Sequence, residues 1–289
     1  MNFAVIGGDM RQAKLAELLA EDGHAVTAFA IDEVKTKSGV RQTETAKDAV
    51  AVAECIIFPL PMSLRAGLLN APLSGGQHAI NDILSEISPT QVAVAGRIDD
   101  ASRELADALG VSLVDYLERE EFAIANAVAA AEGAIGIIME ETPATVSGAK
   151  CLVIGFGRIS KILCHRLRGL GAQVTASARS FADLAWIGAY GYRATETARL
   201  DGTLRDYDVV INTVPARVLG DERLMELKKG CLCLDLASKP GGMDFSAASR
   251  LGVRAMWALG LPGEVAPVTS GAIIRDTVYN ILTEKGRKP

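Results

Sequence analysis

Short runs of apolar residues alternate along the chain with longer segments in which apolar positions recur at helical spacing. This pattern predicts strands buried on both faces and helices that cover them, which is typical of parallel sheets. The predicted strands are Met1–Ile6, Ala25–Phe29, Glu54–Phe58, Gln91–Ala95, Val111–Asp115, Cys151–Ile154, Gln173–Ala178, Asp208–Thr213, Cys231–Leu236 and Val253–Leu259. The predicted helices are Asp9–Glu21, Glu44–Val52, Ile80–Ile87, Asp99–Leu109, Glu118–Glu141, Arg158–Leu170, Phe181–Tyr190, Glu222–Leu227, Phe245–Leu251 and Val268–Lys285.

The chain contains an internal repeat. Residues 4–30 align without a gap to residues 152–178, with Gly7 opposite Gly155 at an offset of 148. We therefore predict an α/β protein of two doubly wound parallel-sheet domains, the first of them flavodoxin-like. The second carries Gly155 and Gly157 between a strand and a helix, which predicts an NAD(P)-binding Rossmann domain. The predicted parts are an α/β domain at 1–120, a connecting helix at 118–142, a Rossmann domain at 143–266, and a final helix at 267–289 that packs on the first domain. Two such domains are expected to leave a cleft for a small substrate.

Composition and charge exclude several classes of protein. The chain has 289 residues, 49% of them hydrophobic, and a net charge of −5, which gives no basic surface for nucleic acid. The opening residues lack the basic region of a signal peptide. The five cysteines lie mostly in apolar runs without a Cys-x-x-Cys pair, so we expect reduced core residues in a cytoplasmic protein and assign no metal ligands. The apolar run 122–139 is predicted to be a buried helix and not a membrane span, because it contains Asn126 and Glu132.

The segment around Gly155 and Gly157 predicts a dinucleotide site. It follows an apolar strand and opens a helix, so Gly155 permits the sharp turn and Gly157 leaves room for a pyrophosphate at the helix N-terminus. The contact residues expected here are Gly155, Phe156, Gly157, Arg158 and Ile159. In the first copy of the repeat Asp9 stands where Gly157 stands in the second, and its carboxylate would repel a pyrophosphate.

The next strand ends in Ser177, Arg179 and Ser180, without the carboxylate that NAD enzymes use for the ribose 2′-hydroxyl. We therefore expect NADP(H), with Arg179 on the 2′-phosphate and Ser177 or Ser180 as additional donors. Loops after two later strands fall on the same sheet edge. They add five expected cofactor contacts: Thr213, Val214, Pro215, Ala237 and Ser238.

Several segments together resemble one known family. They are Ile6–Gln12, the run from Asn126 to Ile135, Gly155-x-Gly157, Ser177–Ser180, Asp235–Gly242 and Leu261–Pro267, and the chain is similar over its full length to the A subunits of bacterial dipicolinate synthase. This resemblance implies NADP-linked oxidation of a dihydrodipicolinate-level substrate to pyridine-2,6-dicarboxylate, in the mother cell of a sporulating bacterium. It further implies a flavoprotein-like partner, the B subunit of dipicolinate synthase. We expect a homo-oligomer with no nucleic-acid or membrane partner.

A dicarboxylate substrate requires cations and donors. The candidates are Lys239, the first βα turn with Asp9, Arg11 and Gln12, and the start of the last helix with Thr269 and Ser270. Asn126 and Glu132 are the strongly polar residues of the apolar helix, and a buried carboxylate requires compensation. Either of them orients the substrate or a proton-accepting water, or Glu132 instead holds the helix in place. Lys239, Glu132 and Asn126 are thus the candidate catalytic residues.

Two alternatives remain. D-2-hydroxyacid dehydrogenases share the two-domain plan, but their chemistry uses a histidine as proton donor and acceptor. The chain has only His24, His78 and His165, none within 259–271 where that family would place it. The other alternative is a non-catalytic, regulatory NADP-binding protein, since the sequence identifies no nucleophile–base pair or paired catalytic carboxylates.

Overall fold

The computed structural model describes residues 1–65 and 67–289, which form two compact units. Unit 1 comprises Met1–Asn126 and Ala266–Pro289, and unit 2 comprises Ala127–Val265. Each unit is built on one six-stranded parallel sheet. The prediction of an α/β protein with two doubly wound parallel sheets is confirmed.

The described residues of unit 1 before residue 119 form eight strands and four helices. The strands are β1 (Asn2–Ile6), β2 (Ala25–Phe29), β3 (Val40–Gln42), β4 (Cys55–Ile57), β5 (Ser63–Arg65), β6 (Leu68–Leu69), β7 (Val92–Ala95) and β8 (Leu113–Asp115). The helices are α1 (Met10–Glu21), α2 (Ala46–Val50), α3 (Ile80–Leu84) and α4 (Asp100–Ala108), with a 3₁₀ turn at Tyr116–Glu118. The sheet order is β3-β2-β1-β4-β7-β8, while β5 and β6 pair as a separate antiparallel hairpin.

Helix α5 (Glu120–Glu141) has the length and hydropathy of a membrane span, and half of its most apolar window is buried inside the protein. Its residues in unit 2 contribute Ala131, Ala134 and Ile138 to that unit's core. Its first turn contributes Phe122 to the core of unit 1. These contacts are those of a core helix, for which a long apolar sequence is ordinary.

Unit 2 repeats the plan of unit 1. Its strands are β9 (Lys150–Ile154), β10 (Gln173–Ala178), β11 (Arg193–Glu196), β12 (Val209–Asn212), β13 (Leu232–Asp235) and β14 (Arg254–Trp257), in the order β11-β10-β9-β12-β13-β14. Its helices are α6 (Arg158–Gly169), α7 (Phe181–Ala189), α8 (Asp221–Met225), α9 (Phe245–Arg250) and α10 (Leu261–Val265), with 3₁₀ turns at Thr197–Arg199 and Leu204–Asp206.

The C-terminal helix α11 (Pro267–Glu284) belongs to unit 1. Its residues Ile274 and Val278 are buried with Leu15 and Leu19 of α1 in one apolar cluster. Gly271 allows this close packing, since a Cβ there would lie 2.9 Å from the Leu15 nitrogen. The start of α11 therefore lies against the first turns of α1.

The internal repeat is a repeat of structure. Helices α1 and α6 have the same length and begin at positions 148 apart, and strands β1 and β9 are related by the same offset. The glycines that follow the two helices, Gly23 and Gly171, have φ of 90° and 87°, a left-handed conformation that glycine adopts without steric cost.

The sheets differ from the predicted strands at their edges. Strands β3 and β11, the hairpin β5–β6 and the short helix α10 were not predicted. If the six strands of each sheet are numbered along the chain, both sheets have the order 3-2-1-4-5-6. Without β3, the remaining five strands of unit 1, renumbered, have the flavodoxin-like order 2-1-3-4-5. The edge strands β3 and β11 were not predicted because they are short and have no fully buried position, so they lack an apolar run.

The cysteines are free and buried, as predicted. Burial raises the pKa of the Cys55 thiol to about 12, and that of Cys151 likewise to about 12. These thiols are therefore protonated and unreactive at neutral pH.

Candidate dinucleotide and anion sites

The turn between β9 and α6 is shaped for an anion. Gly155 has φ of +98°, and a Cβ there would lie 2.5 Å from the Thr213 hydroxyl oxygen, so a side chain is excluded. Gly157 is the N-cap of α6, and a Cβ at this position would meet nothing within 4 Å. No side chain caps the helix, so the backbone N–H groups of its first turn can bind a pyrophosphate. The residues of this turn fit a dinucleotide.

The equivalent turn of unit 1 is closed to such a ligand. Asp9 caps α1 by accepting a hydrogen bond of 2.9 Å from the Arg11 backbone nitrogen. The Arg11 guanidinium also donates to both carboxylate oxygens of Asp9, at 2.9 and 2.7 Å. A carboxylate therefore occupies the place that a phosphate would take, and the assignment of the dinucleotide to the second copy of the repeat depends on this difference.

The third position of the glycine fingerprint is Ser160, which is fully buried. Its hydroxyl lies 2.7 Å from that of Thr213, and Thr213 donates at 2.9 Å to the carbonyl of Ile154 at the end of β9. The serine thus fastens the helix to the sheet. The Thr213 hydroxyl thus has its hydrogen-bond partners within the protein. Beyond it, Val214 is half-buried and Pro215 is exposed.

The side chains of two of the three residues expected to hold a 2′-phosphate at the end of β10 bond within the protein. Ser177 is fully buried, with its hydroxyl 3.1 Å from that of Thr197, so this side chain is directed away from the surface. Ser180 is the N-cap of α7 and exchanges hydrogen bonds with Asp183 at 3.1 and 2.7 Å. Arg179 is exposed and has no hydrogen bond or ion pair with any residue in 1–65 or 67–289.

Other first-turn residues differ in exposure. Phe156 is 6% exposed and belongs to the core of unit 2. Arg158 is exposed and Ile159 is half-buried at the start of α6. Phe156 can therefore contribute its backbone to a ligand, whereas its ring supports the turn from below.

A buried polar pair that was not predicted from the sequence joins two loops at this sheet edge. Asn212 and Asp235 end adjacent strands in register, both are 0% exposed, and the Asn212 amide donates to the Asp235 carboxylate at 2.8 Å. Asp235 also accepts from the backbone nitrogens of Ala237, Gly242 and Met243, at 3.0, 2.7 and 3.2 Å. The signal in the sequence is a polar residue at the last position of two otherwise apolar strands.

This pair fixes the loop that carries Lys239. Ala237 is buried, and its carbonyl accepts from the Trp257 indole nitrogen at 2.9 Å. Ser238 and Lys239 are exposed in a turn closed by the Gly241 nitrogen on the Ser238 carbonyl at 2.8 Å. The Lys239 ammonium has no ion pair within the described part of the chain.

In unit 1 the expected substrate residues lie together at the carboxyl edge of the sheet. Arg11 donates to the carbonyl of Leu60 at 2.6 Å as well as to Asp9. Burial acts to lower the pKa of the Arg11 guanidinium, but hydrogen bonding and the charge of Asp9 outweigh it and the pKa is raised. At the start of α11, Thr269 is exposed and Ser270 is buried.

Gln12, also expected to contact the substrate, has a buried side chain that bonds within the protein. It is 1% exposed, and its amide donates at 2.8 Å to the carbonyl of Phe58 beneath the turn. The phenol of Tyr116 donates to the same carbonyl at 3.1 Å, and burial raises the pKa of Tyr116. The Gln12 side chain therefore holds α1 against β4, and its contact with substrate stays a prediction.

The sequence predicted that Glu132 would be a buried carboxylate on α5, and this expectation is wrong. The Glu132 side chain is 56% exposed and pairs with Arg166 of α6 at 3.0 Å. Arg166 lies eight residues into α6, about 12 Å along its axis from the glycine turn. Glu132 is thus a surface ion-pair residue of unit 2, and Asn126 is half-buried in the part of α5 that belongs to unit 1.

The three histidines are engaged elsewhere. His24 contacts the hydroxyl of Tyr279 at 2.9 Å, His78 contacts that of Ser74 at 3.0 Å, and His165 lies on α6. Residues 1–65 and 67–289 contain no group of three metal-ligating side chains.

Comparisons with known proteins show the family of the chain. Residues 2–117 match the family model for the N-terminal domain of the dipicolinate synthase A subunit. The chain is 31% identical over 286 residues to the dipicolinate synthase A subunit of Bacillus subtilis (strain 168), covering 98% of this chain and 96% of that protein. The crystal structure of the dipicolinate synthase A subunit from Bacillus halodurans superposes with a TM-score of 0.88 at 30% identity, covering 97% of each chain.

More distant structures share only the fold. A transhydrogenase from Sinorhizobium meliloti has a TM-score of 0.74 at 18% identity, covering 99% of this chain and 94% of its own. The apo-structure of D-lactate dehydrogenase from Escherichia coli has a TM-score of 0.66 at 16% identity, covering 100% of this chain and 98% of that one. The architecture is thus that of two-domain dehydrogenases, and by identity and coverage with the Bacillus proteins the chain belongs to the family of dipicolinate synthase A subunits.

Proposed function

We propose that this chain is an NADP-dependent oxidoreductase that forms pyridine-2,6-dicarboxylate from a dihydrodipicolinate-level substrate, as the A subunit of a dipicolinate synthase. The observation that carries the proposal is the difference between the two copies of the βα turn. Gly157 leaves the start of α6 open, whereas Asp9 fills the equivalent position in α1. One unit is therefore suited to a dinucleotide and the other to a different ligand.

The cofactor would be held by unit 2. The N–H groups at the start of α6 would bind the pyrophosphate, and the loops that Asn212 and Asp235 fix would border the nicotinamide end. Arg179, exposed at the end of β10, would pair with a 2′-phosphate, which favours NADP over NAD. When bound, the oxidised nicotinamide supplies a hydride acceptor.

The dicarboxylate would be held through its charges. Arg11 is fixed by Asp9 and Leu60, and the start of α11 with Thr269 and Ser270 lies beside α1. Lys239, exposed in unit 2, stays the candidate cation that the sequence predicts for the substrate. Oxidation removes a hydride and a proton from the dihydro ring, and the gain of aromaticity favours this loss, so the proton can pass to water without a strong protein base.

The remaining parts of the proposal rest on the family. We propose the domain division 1–120 and 143–266, with the connecting helix at 118–142 and the final segment 267–289 assigned to the first domain. We further propose a cytoplasmic location in the mother cell of a sporulating bacterium, a homo-oligomer, and a flavoprotein-like partner, the B subunit. The Bacillus relatives are named as A subunits of dipicolinate synthase, which supports the idea of a second, different chain in the complex.

The test is cofactor reduction by the purified chain. Protein is mixed with NADP and freshly prepared dihydrodipicolinate, and absorbance at 340 nm is followed with and without the B subunit. Steady reduction that depends on the substrate and is slower with NAD supports the proposal. Tight NADP binding without turnover in either mixture contradicts it and favours a non-catalytic NADP-binding role.

A further inference from the structure

Arg97 lies two residues beyond the end of β7 and is held in an unusual backbone conformation. Its φ is 56°, in the left-handed region that non-glycine residues rarely adopt. The carboxylate of Asp115 holds the turn, accepting from the backbone nitrogens of Arg97 and Ile98 at 3.0 and 2.8 Å. Glycine would satisfy such a turn at lower cost, so the presence of a long cationic side chain requires another reason.

The position of Arg97 supplies that reason. A Cβ on the preceding residue, Gly96, would lie 2.8 Å from the Leu60 side chain, and the Gly96 nitrogen donates to the Pro59 carbonyl at 3.1 Å. Leu60 is the residue whose carbonyl binds the Arg11 guanidinium at 2.6 Å. The loop that holds Arg11 through Leu60 therefore packs against Gly96, the residue before Arg97. Arg11 and Arg97 both follow strand ends at the same carboxyl edge, since β1, β4 and β7 are neighbours in the sheet.

Of the two arginines, Arg11 has a carboxylate partner and Arg97 has none among the described residues. Asp9 compensates the charge of Arg11 by accepting side-chain hydrogen bonds from Nε at 2.9 Å and from Nη2 at 2.7 Å. Arg97 is exposed, and its guanidinium has no ion pair within residues 1–65 and 67–289. The Arg11 side chain is 13% exposed, and its hydrogen bonds to Asp9 and Leu60 come from Nε and Nη2, so Nη1 has no partner among the described residues. The Arg97 guanidinium and the Arg11 Nη1 group are thus available as donors to acidic oxygens.

We propose that Arg97 binds one carboxylate of a small planar dicarboxylate whose other carboxylate binds Arg11, and that Arg97 thereby selects dicarboxylates over monocarboxylates. This inference rests on the proposed function and assigns the second carboxylate to a residue of unit 1. Arginine suits the role because its planar fork binds a carboxylate in two parallel hydrogen bonds.

The test compares two stable anions, pyridine-2,6-dicarboxylate and pyridine-2-carboxylate, by calorimetric titration of the full chain with saturating NADP. The wild type should prefer the dicarboxylate. Arg97→Ala should weaken dicarboxylate binding by about 10- to 100-fold, the loss of a charged hydrogen-bonded pair, and leave monocarboxylate binding within about twofold. The matched control is Arg41→Ala, which removes an exposed arginine from β3 and should change neither affinity.

The Arg97→Gly variant distinguishes the effect of the side chain on binding from the effect of the left-handed backbone on stability. It should reproduce the loss of dicarboxylate affinity while keeping or raising the melting temperature, because glycine accepts the left-handed turn. The inference is overturned if Arg97→Ala keeps the wild-type preference, or if both affinities fall equally. A wild type without preference for the dicarboxylate overturns the proposed substrate class as well, so the two failures are distinguishable.

Discussion

Replacing Gly157 by Asp should close the dinucleotide site by copying the first half of the protein into the second. Gly157 has φ −82° and ψ −165°, and Asp9 has φ −99° and ψ −163°, so the same backbone already carries an aspartate in α1. Two positions after Gly157 lies Ile159, and its backbone nitrogen would become the donor to the new carboxylate. The fold should therefore tolerate the change.

The expected magnitude follows from charge and hydrogen bonding. A carboxylate about 4 Å from a phosphate repels it by about 1 kcal/mol in water and about 4 kcal/mol at an effective dielectric constant near 20. A helix N–H taken by the carboxylate no longer binds the phosphate, a loss of about 1.5–3 kcal/mol. Together these weaken NADP binding by about 100-fold or more. The free energy of unfolding should rise slightly, because aspartate caps a helix better than glycine by a few tenths of a kcal/mol.

The assay is a fluorescence or calorimetric titration of NADP, together with thermal melting. Gly157→Asn is the matched control, because it adds the same volume and capping group without a charge, and it should lose less affinity than Gly157→Asp. The reasoning is refuted if Gly157→Asp binds NADP within about twofold of the wild type while its melting temperature is unchanged.

Three further substitutions test other parts of the proposal. Arg179→Ala should lower NADP affinity by about 10- to 100-fold and leave NAD affinity unchanged, and equal affinity ratios before and after would contradict the 2′-phosphate role. Asp235→Ala leaves the Asn212 amide and three backbone donors without their acceptor, so denaturant unfolding should show a loss of about 3 kcal/mol or more; a loss under about 1 kcal/mol would argue against the network. Glu132→Gln removes an exposed ion pair with Arg166 and should change stability by about 1 kcal/mol at most with turnover unaltered, whereas a strongly reduced turnover would restore Glu132 as a catalytic candidate.

The sheet cores could be predicted because they have a repeating physical signature. Strands buried on both faces require continuous apolar runs, and β9 and β12 each show one. Edge strands β3 and β11 have no fully buried position, so their sequences resemble loops. Only pairing with β2 and β10 makes them strands, and pairing partners are not visible in a local sequence pattern.

Candidate site residues could be proposed from the sequence where the backbone determines the role. Gly157 and Asp9 follow from the repeat, because one aligned position holds either no side chain or a carboxylate. Side-chain direction was not predictable, and Ser177 and Gln12 point into the protein although they neighbour the turns. Arg97 was missed because its conformation depends on Asp115, which lies in the next strand along the sheet.

The most direct test of the central claim is a crystal structure of the protein with NADP and pyridine-2,6-dicarboxylate. We predict that the pyrophosphate lies at the start of α6 beside Gly157 and that the dicarboxylate contacts Arg11 at the carboxyl edge of the unit 1 sheet. A dinucleotide bound at the Asp9 turn, or a dicarboxylate that contacts neither Arg11 nor Lys239, would contradict the claim.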